Sequence, residues 1–301
     1  MLLNKYQKRL LFGSSFLAFI SLMIVRFFMI PYLTGKPIEG FVDILYSITD
    51  NLLAALVTSI SITLLLLWLT PPSLESAIME VVESPRISEI LRRGRNHAME
   101  YWYKGNTGRY FRSITLPELA REARLDNATK NVFLIVLDPT KYDACEYYAL
   151  FRQRLRSARR ENFWSRKHVQ CELNATIVST YAWKTQEPAL NITVALVDSV
   201  SLFRIDFSSN LVLITREDER QPALMCETNS LFYKSYREDL FVSFQQSRIL
   251  PDSIKGIPLQ DLDAETLRIL MLDLGLGDQE LSDSDINNII NIAKKAENPY
   301  G

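Results

Sequence analysis

Leu52-Leu-Ala-Ala-Leu-Val-Thr-Ser-Ile-Ser-Ile-Thr-Leu-Leu-Leu-Leu-Trp-Leu69 carries no charge. As a helix it spans nearly all of a hydrocarbon core of about 30 Å, which takes about 20 residues. The apolar stretch begins at Ile44, and a second one precedes it from Leu10 to Leu33. That first stretch is longer than the core of a cleaved leader and has no small-x-small cut before Lys36, which favours a retained anchor. Residues 1–71 therefore read as a transmembrane hairpin, with spans of about 10–33 and 44–69. Pro71-Pro72 closes it, because proline lacks the amide donor and clashes with the preceding turn.

Basic residues set the orientation. Lys5, Lys8 and Arg9 precede the first span, and Arg86, Arg92, Arg93 and Arg95 follow the second, whereas the hinge has only Lys36. Both ends are expected to face the cytoplasm, with the hinge outside. Cys145, Cys171 and Cys226 are odd in number and lack metal spacing, as expected of a reducing compartment. Asn127, Asn174 and Asn191 begin glycosylation-like triplets, which are common by chance.

Within the second span, Ser47, Asn51, Ala54, Thr58, Ser61 and Leu65 recur at alternating spacings of four and three. Ser14, Ala18, Ser21 and Val25 echo them in the first. Small residues let helices approach in lipid, so the stripe is read as packing within the hairpin or between copies. It is also read as the lining of a wet path in an assembly. Arg26 and Asp50 are expected near the outer membrane boundary, where arginine snorkels or the two pair across the hairpin.

The rest reads as water-soluble: a connector at 72–83, an α/β or α+β domain at 84–250, and an acidic helical element at 251–301. Ser73 to Val82 is expected to be amphipathic, and Ser84-Pro85 to start a helix reaching Tyr101. Tyr103-Lys-Gly-Asn-Thr-Gly reads as a loop, Leu116-Pro-Glu-Leu as a helix start, and Val132 to Leu137 as a buried strand. Helices are expected from Tyr142 to Arg160, Glu172 to Trp183 and Ser230 to Gln246. Strands are expected at Ile192 to Val197, Leu202 to Phe207 and Leu211 to Thr215. Beyond Pro251, Asp263 to Leu274 and Ser284 to Glu297 read as two helices of a solvated appendage or docking element.

Catalytic constellations are scarce. The chain has two histidines, His97 and His168, and no nucleophile elbow, P-loop or paired-cysteine metal motif. Asp138-Pro139, Asp198 and Asp206 stand at strand ends or turns, where active-site carboxylates occur but capping or loop polarity is the favoured explanation. No cofactor, metal or small-molecule substrate is indicated.

The succession Trp102-Tyr-x-Gly, Gly108-Arg109…Arg112, Leu116-Pro-Glu-Leu, Leu137-Asp138-Pro139 and Tyr147-Tyr148-Ala149…Arg152 resembles phospholipase D-like domains of bacterial conflict systems. Phe203-Arg204-Ile205-Asp206 and Leu211-Val-Leu-Ile-Thr215 add to the likeness, which covers about residues 84–250. Active members use His-x-Lys with a downstream Asp; here Ala98-Met99 follows His97 and Val169-Gln170 follows His168. The resemblance therefore implies a domain without its catalytic apparatus. The two-span architecture is similar to effectors of retron-type anti-phage systems. That likeness implies an effector restrained by a reverse transcriptase and its RNA–DNA hybrid, then released to damage the inner membrane in abortive infection.

Arg152, Arg154, Arg156, Arg159, Arg160, Arg166 and Lys167 cluster beside Phe163 and Trp164, and Arg109, Arg112, Arg121 and Arg124 form a second group. A solvated helix face is the first reading of such a run; attraction to anionic lipid and nucleic acid, with charges on phosphate and an aromatic stacked on a base, are the others. Three roles stay open: a membrane-perturbing effector that oligomerises, an anchored phosphodiesterase or nuclease using His97, His168 or Asp138, and a membrane receptor or scaffold.

Overall fold

The computed structural model describes residues 5–33, 39–69, 79–155, 164–218, 221–277 and 279–295. Two compact units divide the chain, Met1–Glu75 and Ser76–Gly301.

The first unit is a pair of long helices. Helix α1 (Lys5–Ile24) continues through a π-helical turn at Val25–Met29 into Ile30–Leu33, and α2 is Glu39–Leu69. Gly13–Tyr32 and Asp43–Leu65 are long and apolar enough to cross a membrane, and few of their residues are buried. Exposed apolar residues such as Leu17, Phe28 and Ile44 are unlike the core helix of a soluble protein, whose apolar stripe is covered.

The second unit is a mixed eight-stranded sheet with helices on both faces. Its strands are β1 (Glu80–Val82), β2 (Glu100–Lys104), β3 (Lys130–Leu137), β4 (Leu190–Val197), β5 (Phe203–Ser208), β6 (Leu211–Arg216), β7 (Ala223–Glu227) and β8 (Arg248–Ile249). The order is β1-β7-β6-β5-β2-β3-β4-β8. Only β2, β3 and β4 are mutually parallel, with Tyr101 opposite Val132 and Val132 opposite Ile192; every other pairing is antiparallel. Strand β3 reads as a continuous apolar run because both faces are covered. Val132, Leu134 and Val136 face one core, while Ile135 and Phe133 face the other.

Helices α3 (Ile87–Arg95), α4 (Leu116–Asp126), α5 (Tyr142–Arg154), α6 (Arg166–Gln186), α7 (Leu231–Gln245), α8 (Ala264–Asp273) and α9 (Asp283–Lys294) complete the domain. On one face, α6 is buried from Val169 through Ala182 and shares its core with α4, α5, α8 and α9. On the other, α7 brings Leu240, Phe232 and Phe244 onto Trp102, Phe133 and Val212. Trp102 stacks on Phe133 at 4.0 Å, and Phe244 meets both rings edge-on.

Several expectations need correction. The helix from Ser84 ends at Arg95, where His97 takes a left-handed φ of 52°, and Glu100–Lys104 is a central strand rather than helix end and loop. Its Tyr-Trp-Tyr composition suits a pleated surface better than a helix interior. Val82 ends a strand paired with β7, not an amphipathic connector; residues 73–78 lie outside the described residues. Helix α5 stops at Arg154, and α6 starts at Arg166, capped by Ser165, instead of at Glu172. The acidic C-terminal element is no solvated appendage. Leu267, Leu270, Ile286 and Ile289 are buried in the same core as α6, and Gly256 touches the Tyr181 backbone so closely that a Cβ there would lie 2.1 Å from it.

Candidate functional site: the hairpin face and the basic cluster

Helical periodicity separates two faces of α2. Leu45, Thr49, Leu53, Leu56, Ile60 and Thr63 are its less exposed positions, and on α1 the matching set is Ser15, Phe19, Leu22, Val25, Arg26 and Ile30. These form the intrahairpin seam. Ser47, Asn51, Ala54, Thr58, Ser61 and Leu65 are all exposed. At about 100° per residue they lie on the side of α2 opposite the seam. Ser14, Ala18 and Ser21 are likewise exposed on α1, while Val25 belongs to the seam. Packing within the hairpin therefore does not explain the stripe, because that contact uses the other face.

Arg26 and Asp50 do meet. Arg26 Nε donates to Asp50 Oδ1 at 2.6 Å and Nη2 to Oδ2 at 3.3 Å, with the guanidinium 4.2 Å over the Tyr46 ring. Arg26 sits inside the π-helical turn. It lies about 9 Å inward of the Tyr32 end of its span, and Asp50 about 10 Å inward of Asp43, at 1.5 Å per residue. Asp50 remains 54 % exposed and lies just beside the stripe. Thr58 and Thr63 return their hydroxyls to the carbonyls of Ala54 and Ser59, at 2.9 and 2.8 Å, so the α2 backbone partly satisfies its own polar side chains.

Among the described residues of the basic cluster, Arg112 and Arg152 are drawn inward. Arg112 is 7 % exposed: it pairs with Glu172 at 2.9 Å and donates to Thr176 Oγ1 at 2.9 Å. Burial pulls its guanidinium below the ordinary arginine range, against the opposing pull of Glu172. Arg109 approaches the same carboxylate at 3.5 Å. Arg152 is buried with its guanidinium 4.6 Å over Trp164 and 3.4 Å from Glu217, which also accepts from Asn106 at 2.9 Å. Trp164 is itself buried, between Arg109, Arg152, Tyr148 and His168, and offers no face to a base. Arg166 lies over Tyr142, and Lys167 donates to the Glu280 carbonyl. Arg154 is exposed, as are the side chains of Arg121 and Arg124. Arg156, Arg159, Arg160 and Phe163 lie outside the described residues.

The three residues expected to serve hydrolysis do not converge. His97 lies 2.5 Å from Asp126, beside Lys130 at the amino end of β3, whereas Asp138 follows its carboxyl end. Eight strand residues put about 23 Å between those ends. His168 meets the Trp164 ring edge-on and lies 3.9 Å from Glu172, within the arginine cluster. Asp138 is buried and committed to Arg248 and Thr140. His97, Glu122 and Asp126 bring metal-type donors within 4.8 Å of one another, but the buried Lys130 ammonium already meets Asp126 at 2.7 Å.

No protein-family model matches the sequence, and no curated protein matches it. Among solved structures, a match is to TrmBL2, an archaeal chromatin protein described as showing a novel mode of DNA binding. It is 11 % identical, covers 70 % of this chain and 68 % of that one, and has a TM-score of 0.35, a likeness too loose to carry an argument.

Proposed function

We propose that this chain is a membrane-perturbing effector whose hairpin acts by self-association, with the α/β domain as its restraint. The observation that carries the reading is the exposed stripe Ser47, Asn51, Ala54, Thr58, Ser61, lying opposite the seam and beside the Arg26–Asp50 pair. Polar and small side chains facing hydrocarbon favour helix contacts that cover them, and ionisable groups at membrane depth mark functional positions. The hairpin spans the bacterial inner membrane with both termini cytoplasmic, and copies assembled along the stripe permeabilise it.

The soluble domain resembles a phospholipase D-like domain without the His-x-Lys pair, which supports a docking rather than a catalytic role. By the retron-type resemblance, its partners are a reverse transcriptase and an RNA–DNA hybrid, and infection releases the restraint in abortive infection. Induction without those partners is expected to arrest growth and collapse membrane potential. Thr58→Leu with Ser61→Leu blunts both effects at unchanged membrane levels. Harmless expression of the wild-type protein, inserted at normal levels, overturns the proposal.

A further inference from the structure

We propose that the cleft at the carboxyl ends of β2, β3 and β4 binds a ribonucleoside phosphate. Its phosphates lie against Lys104, Lys141 and Arg248, its ribose beside Asp198 and its base over Tyr147. The inference concerns the α/β domain alone and does not depend on the role of the hairpin.

Open α/β sheets place ligands outside the carboxyl ends of parallel strands. Here that edge holds a cavity of about 690 Å³, within the roughly 300–1,000 Å³ of small-molecule sites. Three cations line it. Arg248 is gripped by the buried Asp138 carboxylate through Nε and Nη2, both at 2.9 Å, and Nη1 donates to the Gly275 carbonyl at 3.2 Å. A guanidinium carries five N–H groups, so two remain for a ligand. Lys104 Nζ donates to Ser243 at 2.7 Å and Asp239 at 3.1 Å, leaving its third N–H. Lys141 is exposed on the wall.

The floor is built before any ligand arrives. Buried Asn106 donates to the Ser201 carbonyl at 2.8 Å and accepts from its amide at 3.0 Å, fixing the loop after β4 to the end of β2. At Gly105 an added Cβ would lie 2.6 Å from the Tyr103 hydroxyl, so bare backbone is required there.

What distinguishes a nucleotide from a simple anion is the continuation. Asp198, Ser199 and Val200 also line a second, mainly apolar groove of about 590 Å³, with Tyr147, Leu150 and Leu202 on its walls. Tyr147 is 69 % exposed there. Cations, then a carboxylate, then an aromatic ring follow in the order of phosphate, ribose hydroxyls and base. Inorganic phosphate leaves the groove unused, and a phospholipid has no ribose for Asp198.

The test is calorimetric titration of the full chain in detergent micelles with ATP, GTP, CTP, UTP, their deoxy counterparts and inorganic pyrophosphate. At least one ribonucleotide is expected to saturate with a Kd below about 1 mM. Lys141→Glu weakens nucleotide and pyrophosphate alike, by about tenfold. Tyr147→Ala weakens only the nucleotide, and Asp198→Asn erases the preference for ribose over deoxyribose. Both Lys141 and Tyr147 are exposed, so their variants keep the wild-type unfolding midpoint. Absence of saturable nucleotide binding overturns the proposal, as does wild-type affinity in the folded Lys141→Glu and Tyr147→Ala proteins.

Discussion

Arg26 and Asp50 are joined by two hydrogen bonds between the helices of the hairpin, and the arginine belongs to a π-helical turn. Such single turns sit inside otherwise α-helical segments and are frequent at functional sites. Asp50→Leu leaves the guanidinium without its carboxylate in an apolar helix pair, so less protein is expected in the alkali-resistant membrane fraction. Exchanging the charges, Arg26→Asp with Asp50→Arg, restores it. Equal insertion of all three proteins would show that the pair contributes nothing to the hairpin.

Glu172 holds two arginines, one of them almost fully buried. Removing it leaves an uncompensated charge, so Glu172→Ala is expected to destabilise the α/β domain by about 3–5 kcal/mol. At this domain size that lowers Tm by about 2–4 °C per kcal/mol. The double variant Arg112→Met, Glu172→Leu should recover much of the loss in a thermal scan, since no buried charge is then left alone at Arg112.

Lys130 first, then His97, hold the Asp126 carboxyl below its ordinary value of 3.8 through hydrogen bonds. A depressed carboxylate adds stability above its unfolded pKa and loses it as pH falls through the folded one. Stability should therefore decline below about pH 4, and Asp126→Asn should flatten that limb in chemical denaturation at stepped pH. An unchanged acid limb would place the proton uptake elsewhere.

Burial pushes Cys145 up to about 12, and Cys171 and Cys226 up to about 11. Thiolate is the reactive form, so none should label rapidly with an aromatic disulfide reagent at pH 8. All three should react at once in denaturant. Fast labelling of the native protein would mean that these side chains open to solvent.

The stripe on α2 was legible in sequence because spacings of four and three define a helical face whatever surrounds it. Which face meets α1 was not legible: Leu53, Leu56 and Ile60 are as apolar as the leucines beside them, and only packing separates them. Strand β3 was readable because burial on both faces leaves an unbroken apolar run. Glu100 to Lys104 was not, since its pairing with Asn131 to Ile135 is nonlocal and its flanking helix masked the change of period. The buried partners of two of the arginines were hidden for a similar reason. Charge density along the chain suggests a solvated face, yet Arg152 finds Glu217 65 residues away and Arg112 finds Glu172 60 residues away. The cleft left only the separate signals of Asp138-Pro139 and Asp198, whose convergence depends on the parallel order of β2, β3 and β4.

The burial of α6 beneath α9 also sets an order of events during synthesis. Asn174 bonds Gln279 at 2.8 Å, and Ile286, Ile289 and Ala293 close over a helix made more than a hundred residues earlier. Every strand is translated before α9. Until α9 is made, α6 has one side uncovered, so the α/β core cannot close. A chain interrupted shortly before α9 is expected to leave that side of α6 open to proteolysis.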